Sequence, residues 1–168
     1  IKVDLENKGM TVRFDNRDTH KPGFKFNEWE LKGVPVRIAI GPRDIENGSV
    51  EVVRRDTKEK QIMHLEDLPN KINHLLEAIQ DNIYLKASTY LDNNITMANS
   101  WDEFVNLLDS KGGFISAHWD GTSETEELIK EKTKATIRCI PLKNKAEKGF
   151  CILSGKPSDQ RVYFARAY

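Results

Sequence analysis

The sequence predicts an α/β chain built as two units joined by a long helix. Three observations carry that expectation. Strand-like alternation and helix-like spacing take turns in both halves of the chain, the pattern of α/β architecture. Leu68, Ile72, Leu75, Leu76, Ile79, Ile83 and Tyr90 recur at steps of three, four and seven, which makes one apolar face over about six helical turns. The chain has 168 residues, enough for one domain or two small ones. The Asn93-Asn94 pair ends the long helix and sets the expected boundary, dividing the chain into residues 1–92 and 93–168.

The elements follow in order. Ile1, Val3 and Leu5 lead to Gly9, a helix stop or tight turn. Residues 10–14 alternate apolar and polar and predict a strand. Residues 15–23 form a polar loop. Residues 24–32 have helical spacing and stop at Gly33. Residues 34–40 read as a strand that Gly41-Pro42 breaks, and residues 41–44 read as a turn. Residues 49–55 and 61–65 predict a hairpin around the loop at 56–59. In the second half, Ser100 and Glu103 form a capping box that opens a helix ending before Gly112-Gly113. A strand over 114–119, a turn at Asp120-Gly121, a helix over 123–132, and strands over 135–140, 150–153 and 161–167 complete the reading.

Composition narrows the function classes. Hydrophobic residues make up 38% and charged residues 31%, a folded rather than a disordered balance. No window reaches the roughly 20 apolar residues of a membrane helix, and the first residues do not resemble a secretory signal. Two cysteines, Cys139 and Cys151, support neither a disulfide scaffold nor a four-thiolate metal site, so a reducing cytoplasmic setting and buried thiols are expected. The net charge of zero hides a pattern. Residues 1–60 carry 13 basic and 11 acidic side chains, residues 61–131 carry 4 and 13, and residues 132–168 carry 9 and 2. An acidic middle between neutral and basic ends indicates more than one functional surface.

The chemistry concentrates between Pro22 and Gly33. Phe24, Phe26 and Trp29 can stack on unpaired bases; Glu28 and Glu30 can accept from base amino groups; Lys32, Arg37 and Arg43 can meet phosphates or purine edges. The competing reading is a short amphipathic helix with its aromatics in the core, which composition alone favours. Arg54-Arg55 and Lys58-Glu59-Lys60 make the hairpin basic, as a phosphate grip or as a solvated turn. His118-Trp119-Asp120 lacks a nucleophile at any fitting spacing, so a packed Trp beside an ordinary His is expected. No phosphate-binding glycine loop occurs.

At this point the residues become specific. The run from Lys25 to Arg37 (KFNEWELKGVPVR), followed by Ile40-Gly41-Pro42-Arg43-Asp44, closely resembles the anticodon-binding domain of prolyl-tRNA synthetases, class II, in their archaeal and eukaryotic-like form. A second block, Gly113-Phe114 through Ala117-His118-Trp119, Ile129-Lys130-Glu131 and Thr133 to Pro141, is similar to the C-terminal domain of the same form. A third comprises Gly155-Lys156-Pro157-Ser158, Arg161-Val162, Phe164-Ala165 and Tyr168. The blocks lie in family order over nearly the whole chain.

The resemblance implies a mixed-sheet anticodon-binding domain over residues 1–92, its first strand missing, then a smaller α/β C-terminal domain over 93–168. It implies a catalytic domain before Ile1, with ATP and magnesium used there and no catalytic residue in this chain. The implied partners are proline tRNA, the catalytic domain, and a second subunit in a homodimeric parent, with neither DNA nor a membrane. Glu30 and Arg37 match guanine readers, Phe26 a stacking aromatic, Arg43 a basic residue near the anticodon, and Lys60 a further contact in a loop of variable length. The carboxylate of Tyr168 matches a terminus that reaches the parent's active site. Family zinc positions fall on Asp120, Thr125, Cys151 and Ser154, of which only one is a thiolate, so no zinc is expected and packing should hold the domain. The alternative is an RNA-binding or regulatory paralogue without catalysis. A metal-binding interaction domain and a hydrolase using His118 complete the set of readings.

Overall fold

A computed structural model describes residues 1–142 and 145–167. The expected α/β class is borne out. Two compact units divide the chain, Ile1–Ala87 and a second from Ser88 onward. Among the described residues no helix is long and apolar enough to cross a membrane.

The first unit opens with α1 (Lys2–Asn7) and α2 (Pro22–Leu31). Pro22 starts α2, where its fixed φ and missing N–H cost nothing. Gly33 ends the helix at φ +86°, with Gly33 N–H donating to the Glu30 carbonyl and Val34 N–H to that of Trp29. This left-handed C-terminal motif turns the chain sharply into the first strand. That strand, β1 (Val36–Ala39), precedes α3 (Pro42–Glu46), β2 (Ser49–Arg54) and β3 (Lys60–His64). The three strands form an antiparallel sheet in the order β1-β2-β3. Its core face carries Val50 and Val52, buried against Leu5 and against Leu68, Ile72, Leu75 and Ile79 of α4 (Leu68–Asn93).

The second unit adds β4 (Ile95–Met97), α5 (Trp101–Ser110), β5 (Phe114–His118), α6 (Ser123–Thr133), β6 (Ala135–Cys139), β7 (Gly149–Phe150), β8 (Pro157–Ser158) and β9 (Arg161–Arg166). Its four-stranded sheet runs β4-β5-β9-β6, with β4 and β5 parallel and the other pairs antiparallel. Phe104, Leu108, Ile115, Ala117, Ile129, Val162 and Phe164 form its core. Ser100 caps α5 by accepting from Glu103 N–H at 3.3 Å, while the Glu103 carboxylate reaches one residue further back, to Asn99 N–H at 2.8 Å. Gly149 lies flat on the buried His118 ring: a Cβ there would stand 2.3 Å from Nε2.

Several expectations need correction. Residues 10–14 form no strand. Met10 and Val12 pack on the core from an irregular segment, so alternation arises here without a ladder. The expected turn at 41–44 is instead the start of α3, because the Asp44 carboxylate accepts Gly41 N–H at 2.8 Å and caps it. The strand expected over 150–153 shrinks to β7, and the chain turns at Cys151. The apolar face of α4 is buried only as far as Ile79; Ile83 and Tyr90 are exposed. Cys151 is buried as expected, but Cys139 is exposed at the end of β6, beside a register irregularity. The short strand β4 was not anticipated.

Candidate functional site

The face of the first sheet opposite its core carries charge. Strand neighbours point to opposite faces. With Val50 and Val52 inward, Arg37, Glu51, Val53 and Lys60 share the other side, since Val53 lies opposite both Arg37 and Lys60. The helix α2 supplies Phe26 and, one turn later, Glu30. The Arg37 guanidinium stacks on the Phe26 ring, its Cζ 3.5 Å from the centroid, as a cation–π pair. Arg37 Nη2 stands 3.7 Å from Glu51 Oε1, and Lys60 Nζ the same distance from Glu51 Oε2. Arg37 Nε and Nη1 are buried and have no hydrogen-bond partner among the described residues.

Glu30 sits beside the tip of the β2–β3 hairpin. Lys58 Nζ donates to its carboxylate, and Arg55 Nε donates to its main-chain carbonyl at 2.9 Å. The Lys58 ammonium holds the Glu30 carboxyl below the usual carboxylate range, with Arg37 and Arg55 adding to the effect against a smaller upward push from burial. The hairpin tip is anchored from beneath: Asp56 accepts from Arg54 Nε and Nη2 at 3.0 and 2.7 Å and from Asn82 Nδ2 of α4 at 2.6 Å. Asn27, Glu30, Leu31, Arg55, Asp56 and Lys58 line an open concavity of about 660 Å³.

The structure therefore brings Phe26, Glu30 and Arg37 to one surface. Lys60 joins it through Glu51, while the cation at Glu30 is Lys58. Which loop lysine returns to α2 depends on the hairpin geometry, and spacing alone did not resolve it. Arg43 is exposed at the start of α3, and its side chain makes no hydrogen bond or ion pair among the described residues. Tyr168 lies outside the described residues.

Two candidate base-binding groups are engaged internally. Trp29 Nε1 donates to Asp15 Oδ2 at 2.9 Å. Glu28 accepts from Arg17 Nη2 and Lys32 Nζ, each at 2.6 Å, and Arg17 also bonds Asp15. These side chains clamp the segment before α2 onto the helix, so Glu28 and Trp29 have internal partners; α2 nevertheless buries no residue, and its aromatics do not form the core that the competing reading placed there. Phe24 is exposed and stacks with His20 at 4.6 Å.

The degenerate zinc positions do not fit the metal. Asp120 Oδ2 accepts from Thr125 Oγ1 at 2.8 Å and from Ser154 Oγ at 2.6 Å; Oδ1 accepts from Thr122 Oγ1 at 2.8 Å and Thr122 N–H at 3.2 Å. One thiol, one saturated carboxylate and two neutral hydroxyls are a poor donor set for tetrahedral zinc. Hydrogen bonds, as well as packing, tie these segments together. Burial pushes the Asp120 carboxyl up, but the bonds from Ser154, Thr122 and Thr125 outweigh it and hold the pKa at about 2, below its ordinary 3.8. A depressed carboxylate stabilises the fold above its unfolded pKa and loses that contribution as pH falls through the folded one. The stability gap between the unmutated chain and Asp120→Asn is thus expected to shrink between about pH 4 and pH 2. Urea midpoints of the two proteins from pH 5 downward check this; a gap independent of pH contradicts it. Among the described residues no group of three or more His, Cys, Asp or Glu side chains could hold a metal ion.

His118, expected to be an ordinary packed histidine, is buried between Ser158 Oγ, 3.1 Å from Nδ1, and Glu147 Oε1, 3.6 Å from Nε2.

Comparison with known proteins places these surfaces in context. Residues 1–75 match the family model described as "Anticodon binding domain", and residues 101–168 the one described as "Prolyl-tRNA synthetase, C-terminal". Proline–tRNA ligase of Flavobacterium johnsoniae is 57% identical over 168 residues, which is all of this chain and 34% of that protein. The ligase of Cytophaga hutchinsonii is 58% identical over the same span, and that of Bacteroides fragilis is 54% identical over 172 residues. The chain spans about a third of the length of these curated relatives.

Proposed function

The chain belongs to the prolyl-tRNA synthetase family, and we propose that it reads the anticodon of proline tRNA within a longer cytoplasmic proline–tRNA ligase. In that enzyme a catalytic domain would join proline to tRNA through a prolyl-adenylate, using ATP and magnesium, and would act as a homodimer. This chain would select the tRNA and buttress that domain. The observation that carries the reading is the convergence of Phe26, Glu30 and Arg37 from α2 and β1 on one face of the first unit. A carboxylate can accept from guanine N1–H and N2–H, and a guanidinium can donate to O6 and N7. A stacked aromatic suits an unpaired loop base. Proline anticodons share two guanines, which these groups would read, while Arg43 and Lys60 would contact phosphates.

The test is binding of a labelled anticodon stem-loop against one with both guanines replaced, at two salt concentrations. The native loop is expected to bind more tightly by several kcal/mol, at roughly 1–3 kcal/mol per base-reading pair. Glu30→Ala or Arg37→Ala should remove that preference. Arg43→Ala and Lys60→Ala should weaken both loops alike and lower the salt slope by about 0.7 each. Equal, salt-sensitive binding of both loops by the unmutated chain contradicts the reading.

A further inference from the structure

We infer that Glu51 is a positioning residue that aims the Arg37 guanidinium at its base, an inference that rests on the anticodon-reading role proposed above. The Arg37 side chain is 18% exposed, and few polar contacts among the described residues fix its direction. Stacking on Phe26 sets the plane of the guanidinium but leaves it able to turn within that plane. Nε and Nη1 have no hydrogen-bond partner among the described residues, so they do not restrain it. The carboxylate within ion-pair distance of Arg37 is Glu51, whose Oε1 lies 3.7 Å from Nη2; Glu30 of α2 also acts on Arg37 electrostatically, at longer range.

Register explains how Glu51 comes to be there. It stands opposite Ala39 on one side and Ile62 on the other, and the small Ala39 leaves room on the β1 side. Its second oxygen faces Lys60 Nζ, so one carboxylate spaces two cations along the sheet face. At 3.7 Å these contacts are electrostatic and exceed hydrogen-bond length. They can therefore orient Arg37 without occupying its donors, which is what a reader needs before its base arrives. A carboxylate beside an RNA surface repels phosphate, so its placement makes little sense as a general RNA contact.

That opposition gives the test two signs. The chain, Glu51→Gln and Glu51→Asp are titrated with the native anticodon stem-loop and with loops in which each guanine is singly replaced by adenine. Glu51→Gln is expected to bind every loop at least as tightly at low salt, because one negative charge is gone. Its guanine-over-adenine ratio should fall about fivefold or more at the one position that Arg37 reads. The ratio at the other position should hold, and Glu51→Asp, which keeps the charge, should recover part of the loss. Tighter binding with both ratios unchanged overturns the inference, as does an equal fall at both positions. Arg37→Ala serves as the reference: it should lose discrimination at the same position as Glu51→Gln. A chain with no guanine preference at all overturns the anticodon reading, and this inference with it. A preference abolished by Arg37→Ala but untouched by Glu51→Gln overturns the inference alone.

Discussion

Arg161→Met is expected to destabilise the second unit by about 3–5 kcal/mol, the range found when one partner of a buried charged network is removed. Arg161 is 8% exposed at the start of β9, opposite His118. Its Nε and Nη2 donate to Glu147 at 2.9 and 3.1 Å; Nη2 also donates to Asn99 Oδ1 at 2.6 Å. Nη1 donates to the carbonyls of Ala98 and Ser116 at 3.0 and 3.2 Å. Ala98 is fully buried and Ser116 nearly so, so water has poor access to either carbonyl once the guanidinium is gone. An unsatisfied buried acceptor costs about 1–3 kcal/mol, and methionine supplies no donor. Glu147 is different. Its side chain is 47% exposed and can rehydrate, so Glu147→Gln should cost much less. Urea unfolding followed by circular dichroism orders the two variants. Equal losses would mean that the ion pair matters and the carbonyl bonds do not. All the groups named here lie in the second unit, so guanine preference should survive in the folded Arg161→Met protein.

How much of this could be read from the residues depends on the range over which each feature is decided. The hairpin of β2 and β3, the capped helix α5 and the core stripe from Leu68 to Ile79 are encoded by neighbours within about one turn or one strand, and all were legible. Residues 10–14 show the limit. Alternation states which side chains go inward, and Met10 and Val12 do so, but it does not state whether another strand is available to pair. The helix α3 turns on one capping contact from Asp44, and β4 has three residues, too few to carry a period.

The site divides along the same line. Phe26, Glu30 and Arg37 were identified by residue type and family resemblance, and the fold brings them together. Glu28 and Trp29 looked equally suited to bases, but Asp15 and Arg17, more than ten residues upstream, engage them. Glu51 gave no signal, because its role exists only through cross-strand register. The sequence shows a single thiolate among the zinc positions, but the hydrogen-bonded hub at Asp120 depends on Ser154, 34 residues away, and no local pattern announces it.

Phe164→Ala is expected to cost the second unit about 3–5 kcal/mol, on a par with the loss of Arg161 but by a different mechanism. Phe164 is fully buried in β9, opposite Ile115 on one side and Ile137 on the other. Its ring meets Phe104 of α5 edge to face, with centroids 5.2 Å apart at 82°, and Phe104 stacks in turn on Trp101 at 5.7 Å. Truncation removes the transfer free energy of the ring and leaves a cavity between sheet and helix. The edge-to-face pair adds about 0.5–1.5 kcal/mol to that loss. Collapse cannot readily close the gap, because β9 is held by ladders on both sides. Phe164→Leu separates the contributions: it restores much of the volume without the aromatic edge and should cost clearly less, about 1–2 kcal/mol. Denaturant unfolding of the three proteins gives the order, and near-ultraviolet circular dichroism reports the packing of Trp101. If Phe164→Leu is as damaging as Phe164→Ala, ring geometry rather than filled volume holds α5 to the sheet. If both cost under about 1 kcal/mol, the sheet can slide to fill the space, and the rigidity argued for β9 is wrong.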